Sequence, residues 1–147
     1  MTRRELREHC FKLLFCTSFH PAEETKEQLL QYFAQPVEEE QTADGKYEIL
    51  HSPALDLVDG KYVQDKVERI IEKIPDLDSQ INKVAEGWTT QRMGKEEITI
   101  LRLALYEMQF DDEVPDKVAI NEAVELSKKF GGDDSSSFVN GILAKLV

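Results

Sequence analysis

Ile98-Thr99-Ile100-Leu101-Arg102-Leu103-Ala104-Leu105-Tyr106-Glu107-Met108-Gln109-Phe110 is the stretch that decides the fold. Its apolar residues fall on nearly every side of a 3.6-residue helix, the pattern of a helix surrounded by other helices. Arg102 and Glu107 interrupt it, and a charge in such a helix has to be partnered or sit at the helix edge. A buried ion pair or a snorkelling arginine meets that demand, and a functional charge is the alternative.

Toward the C-terminus, Pro115 opens a helix carrying Val118, Ala119, Ile120, Ala123, Val124 and Leu126. Phe130-Gly131-Gly132 closes it, where glycine can supply a left-handed residue. Asp133, Asp134 or Ser135 caps a last helix with Phe138, Val139, Ile142, Leu143 and Leu146 at helical spacing. Toward the N-terminus, Thr89 to Gly94 is a polar connector holding Arg92. Asp78 can cap a helix with Ile81, Val84, Ala85 and Trp88, fraying at Gly87. Ser52-Pro53 starts a longer amphipathic helix carrying Leu55, Val58, Tyr62, Val67, Ile70, Ile71 and Ile74, which Pro75 is expected to end. Residues 37–52, with Glu38-Glu39-Glu40 and Asp44-Gly45, read as a solvated loop. Thr25-x-x-Gln28 opens a short helix with Leu29, Leu30 and Phe33, stopped by Pro36. Thr2-Arg3-Arg4-Glu5 has the capping-box form, and Leu6, Cys10, Leu13 and Leu14 behind it predict a first helix over 3–18.

No stretch keeps a period of two and no internal repeat is evident, so the chain is expected to be all-α, a single compact domain over 1–147 with about seven helices. At 147 residues and 41% hydrophobic it is long enough for one core. Eighteen bases against 29 acids leave a net charge of −11, which argues against nonspecific duplex binding through a uniformly basic surface. The charge is uneven, at +2 over residues 1–21, −8 over 22–59 and −5 over 60–147. Arg3, Arg4, Arg7 and Lys12 therefore form one basic island, either a solvated helix end or a local nucleic-acid contact. Positive charge in the first turns opposes the helix dipole, and a local rule broken there points to function.

Motifs for catalysis or metal are absent: there is no Walker loop, no His-Glu-x-x-His and no Cys-x-x-Cys. His9, His20 and His51 lie far apart, and adjacent His9 and Cys10 do not face each other on a helix. Cys10 and Cys16, six residues apart on a helix, point to different sides, so reduced thiols of a cytoplasmic protein are expected. No run approaches a membrane span. The expectation is a non-enzyme with no cofactor and no metal.

Several segments together carry a resemblance. They are Arg3-Arg4 with Arg7 and Leu14-Phe15, the helix Ile100 to Glu107, Val114-Pro115, Lys117 to Leu126, Lys128, Phe130-Gly131, and Phe138-Val139-Asn140-Gly141-Ile142-Leu143. The chain resembles the NusB family of transcription antitermination factors, most densely over residues 96–145. The resemblance implies an all-helical protein that binds single-stranded boxA RNA of nascent ribosomal RNA leaders with the ribosomal protein NusE, and joins an RNA polymerase antitermination complex. It implies RNA contacts at Arg3, Arg4 and Arg7, and at Phe130, Asp134, Ser135 and Phe138. It assigns Phe15 and Glu97 to the NusE face. Glu5 and Glu8 dilute the basic motif.

Single-stranded RNA is held by backbone charge and by stacking of bases on aromatic rings. Phe130 and Phe138 can stack, and Phe138 can equally pack in the core in phase with Ile142. Asp134 can accept from a base amino group or cap the last helix. The second reading is a helical protein-binding adaptor without RNA contact. A third, an RNA-modifying enzyme, is disfavoured because 147 residues leave no room for a cofactor-binding sheet domain.

Overall fold

In the computed structural model Thr2 closes the N-terminus of helix α1 (Arg3–Thr17) through the expected capping box: its Oγ1 accepts the Glu5 N–H at 3.1 Å, and its own N–H donates to Glu5 Oε1 at 3.3 Å. The structure describes residues 1–19, 24, 27, 31–32, 38–41, 47–51 and 55–147, residues 38–41 and 47–51 by their backbone alone. After α1 come strands β1 (Glu38–Gln41) and β2 (Tyr47–His51). Four helices follow: α2 (Leu57–Val84), α3 (Lys95–Phe110), α4 (Asp116–Phe130) and α5 (Ser135–Ala144). The helix expected from Thr25 to Pro36 lies mostly outside the described residues, although Glu27, Gln31 and Tyr32 within it are helical. Tyr32 is buried, and its hydroxyl meets the ring of His9.

Helix α3 is the centre that its all-round apolar sequence demands. It packs on α1, α2, α4 and α5, and Ile100, Leu101, Leu103 and Leu105 are at most 1% exposed. Truncating one such leucine to alanine costs about 2–5 kcal/mol. The core adds Cys10, Leu13 and Leu14 from α1, Val67, Ile70 and Ile81 from α2, Ala123 from α4, and Val139 and Leu143 from α5.

Three expectations are corrected. Pro75 does not end a helix; it lies inside α2, 28 residues long. An interior proline removes one helical hydrogen bond, at a cost of about 3 kcal/mol. The apolar stripe Val63, Val67, Ile70, Leu77 and Ile81 stays in register on both sides of it and is buried throughout. Packing of that continuous stripe outweighs the lost bond, whereas Val58 and Tyr62, read as part of it, are exposed. Asp56 caps α2, accepting the Asp59 N–H at 2.7 Å, while Ser52 and Pro53 fall outside the described residues.

The second correction is the connector. Its strands β1 and β2 pair antiparallel, Glu39 opposite Ile49 and Gln41 opposite Tyr47, with the register shifting between Glu38 and Glu39. Tyr47 and Ile49 favour strands, and Asp44-Gly45, itself outside the described residues, is a hairpin-turn dipeptide. The acidic run disguised the pattern. The described fold is otherwise all-α, with five helices where about seven were expected, because two merged in α2 and one lies largely outside the described residues.

The third concerns glycine. Gly131 ends α4 at φ −94°, and among the described residues only Gly87 has a positive φ, of 76°. Gly131 is needed for space: a Cβ there would lie 2.6 Å from Ser135 Cβ and 2.8 Å from the Ser127 carbonyl oxygen.

Candidate nucleic-acid interface

Helix α1 presents its arginines unequally. Arg3 is solvated, its side chain 76% exposed, with Glu113 at 3.9 Å. Arg4 forks onto Glu122 of α4, Nε to Oε2 at 3.0 Å and Nη2 to Oε1 at 2.9 Å. That bond, and then the arginine's charge, hold the Glu122 carboxyl below its ordinary range against the opposing effect of burial. Arg7 points inward and is buried. It donates to both carboxylate oxygens of Glu107 in α3, at 2.9 Å and 2.8 Å. Lys66 of α2 completes this buried group, with Nζ 3.4 Å from Glu107 Oε2. Burial is the largest single influence on Arg7 and Lys66 and works against their charge, but Glu107 acting together with neighbouring groups, Glu122 at Arg7 and Tyr62 at Lys66 among them, raises both pKa values. Arg7, grouped by sequence with the RNA-contacting arginines, is thus spent on an internal carboxylate. The charge pair demanded by the α3 sequence is resolved the same way: Glu107 takes Arg7, and Arg102 forks onto Asp78 at 2.8 Å and 2.7 Å. Asp78, read as a helix cap, is that arginine's counter-ion.

Beside α1, at the end of α4, Phe130 stacks on Phe11 with ring centroids 5.0 Å apart. Phe11 lies 5.9 Å from Phe15, and Phe15 lies 5.0 Å from Phe19, so a row of rings runs along α1. Lys12 and Lys129 stand over the Phe130 ring at 5.8 Å and 5.5 Å. Half-buried Phe130 is therefore an aromatic surface flanked by cations.

The turn between α4 and α5 gathers the remaining candidates. Ser135 is buried; its Oγ accepts the Gly132 N–H at 3.0 Å and donates to Glu97 Oε1 at 2.7 Å. Asp134 occupies the N-cap position of α5 without a side-chain capping bond, and it is exposed. Phe138 is half-buried and meets Trp88 edge-on at 6.1 Å. A cleft of about 410 Å³ is lined by Trp88, Glu97, Asp134, Ser135 and Phe138 among others. Glu97, assigned by sequence to the partner face with Phe15, is thus hydrogen-bonded to the loop assigned to RNA.

The sequence model of the NusB family matches residues 4–147. The chain belongs to the NusB family. A curated transcription antitermination protein NusB from Lachnoclostridium phytofermentans is 45% identical over 149 aligned positions, spanning 100% of this chain and 99% of that protein. One from Agathobacter rectalis is 42% identical, spanning 99% and 98%. Among solved structures, T. maritima NusB superposes with a TM-score of 0.78 at 27% identity, covering 99% of this chain and 90% of that one. A chain from the crystal structure of antitermination factors NusB and NusE in complex with dsRNA reaches a TM-score of 0.70 at 22% identity, covering 98% and 94%, and so shares the fold. NusB proteins are transcription antitermination factors, not enzymes.

Cys10 and Cys16 are free, and burial pushes the Cys10 thiol up to about 12, away from reactivity. Among the described residues no helix is long and apolar enough to cross a membrane. Sequence reasoning missed Trp88, read only as a helix position, and Lys129 and Glu122. An aromatic beside Gly87 near a polar connector was the available signal for Trp88; Glu122 carried none, because its partner lies 118 residues away.

Proposed function

We propose that this NusB-family protein binds single-stranded boxA-type RNA of ribosomal RNA leaders together with NusE, and joins an RNA polymerase antitermination complex in the cytoplasm, as one RNA-binding domain over 1–147. The observation that carries the reading is the cation-flanked ring of Phe130, packed on Phe11 of the same helix that carries the exposed Arg3 and Arg4, on a protein that is otherwise acidic. Cations and a stacking surface along one helix face suit the backbone and bases of single-stranded RNA. Asp134 and Phe138 extend the surface to the α4–α5 turn, and Arg7 serves it by fixing α1 from below. Phe15 and Glu97 are the proposed NusE contacts.

Fluorescence anisotropy with a boxA-like RNA and a scrambled control, with and without NusE, tests it. Preference for the boxA-like RNA, weakened and made less salt-sensitive by Arg3→Ala with Arg4→Ala, is expected. Equal binding of both RNAs, or none, overturns it. The pairing of Arg4 with Glu122 favours a second reading, a protein-binding adaptor without RNA contact. NusE binding with no RNA binding under any condition is the result that reading requires.

A further inference from the structure

We propose that the cleft between α1 and α4 is a phosphate seat that the free protein fills with its own carboxylates, and that Glu122 is the group an RNA phosphodiester displaces from Arg4. This rests on the RNA-binding reading above. The cleft, about 290 Å³, is lined by Arg4, Arg7, Glu8, Glu122, Lys128 and Lys129 among others. Its three outward cations each hold one carboxylate: Arg4 holds Glu122 at 2.9 Å, Lys129 holds Glu8 at 3.0 Å, and Lys128 holds Glu125 at 3.6 Å.

The Arg4 pair is the one built for exchange. Its two parallel N–H···O bonds have the geometry in which a guanidinium takes a phosphate. The Arg4 side chain is 63% exposed and Glu122 only 16%, so an incoming phosphate reaches the arginine from solvent while the glutamate stays anchored on α4. Glu122 also lies 3.7 Å from Arg7 Nη1. Arg7 does not join the exchange, because two of its donors remain on Glu107. A phosphate entering the seat therefore trades one anion for another. Little affinity is gained at Arg4, and few counterions are released, since the guanidinium was already neutralised. Glu122 thereby sets both the strength and the salt dependence of RNA binding at this end of α1.

The test is anisotropy with a boxA-like single-stranded RNA at several salt concentrations, on the whole chain with and without NusE. Glu122→Gln keeps the size of the side chain and removes its charge. Binding is expected to tighten about two- to fivefold, the range for an ion pair of this exposure. The slope of log K against log salt should steepen by about 0.7, one phosphate's share for a single strand. Arg4→Ala in the Glu122→Gln background should abolish the gain. Glu72→Gln on α2, the same change in net charge, should not reproduce it. Should Glu122→Gln lose helix content by circular dichroism, Glu122→Asp, which withdraws the carboxylate by one methylene, gives the same readout with a smaller gain. Unchanged or weaker binding by these variants, a gain that survives Arg4→Ala, or an equal gain from Glu72→Gln overturns the exchange while leaving RNA binding intact. Failure of the unmutated chain to bind RNA even with NusE overturns the RNA reading itself, and this proposal with it.

Discussion

Arg7 and Glu107, 100 residues apart in the chain, are joined by a two-pronged hydrogen bond at 2.9 Å and 2.8 Å inside the core. The carboxylate is 1% exposed and carries Lys66 as a second cation. Glu107 thus joins α1, α2 and α3, and withdrawing Arg7 leaves Lys66 as its remaining buried cation.

Removing one partner should therefore be costly. Arg7→Ala is expected to destabilise by up to about 3–5 kcal/mol, the range for removing one partner of a buried ion pair, with Lys66 left to offset part of the Glu107 charge. Arg3→Ala, on a solvated side chain, should change stability by less than about 0.5 kcal/mol. Urea denaturation of the two variants compares them directly. Equal midpoints would mean that Arg7 is solvated.

Asp78 separates a cap from a counter-ion. Asp78→Ser retains a side chain able to cap a helix but loses both bonds to Arg102. A loss of about 1.5–3 kcal/mol is expected, since the hydrogen bonds are to charged groups and the pair is only 16% and 19% exposed. Near-wild-type thermal stability would return Asp78 to a capping role.

Acid should erase the Arg4–Glu122 contribution. The Glu122 pKa is lowered on folding from an ordinary value of 4.5, so its ionised form is favoured in the folded state. Its stabilisation is full above that value and disappears as pH falls through the lower folded-state pKa. The stability difference between wild type and Glu122→Gln should accordingly be constant from pH 7 to about 5.5 and shrink as pH falls below about 4.5. A difference that grows on acidification would place the cause elsewhere.

Phe15 and Glu97 should report on the partner and not on the arginines. Phe15→Ala removes a half-buried ring of the kind that anchors interfaces. Glu97→Gln keeps an acceptor for Ser135 while removing the charge. Both are expected to weaken NusE binding in calorimetry, with RNA binding in the absence of NusE within about twofold of wild type. Wild-type NusE affinity for both would remove these positions from the partner face.

What the sequence disclosed follows the range of the interactions. The capping box of Thr2 and Glu5 and the all-round burial of α3 are local patterns, and both are present. So is the demand that Arg102 and Glu107 be partnered, although the identity of those partners is not local: Asp78 is 24 residues from Arg102, and Arg7 is 100 from Glu107. Arg7 looked like its neighbours Arg3 and Arg4 for that reason. Pro75 misled because proline's local cost is legible and the register of a stripe across it is less so. The gathering of Glu97, Ser135 and Phe138 at one cleft arises from the packing of α3 against α5, which spacing along the chain does not encode.

The Ser135 hydroxyl, taking the Gly132 N–H and giving its proton to Glu97, ties the α4–α5 turn to the first turn of α3. A partner that draws the Glu97 carboxylate to itself leaves that proton without its acceptor, and a ligand that reshapes the turn moves the carboxylate in its turn. The two events share one bond, so they are thermodynamically linked. On the proposed assignment of NusE to Glu97 and of RNA to the turn, whatever factor the first imposes on the affinity of the second is returned in equal measure.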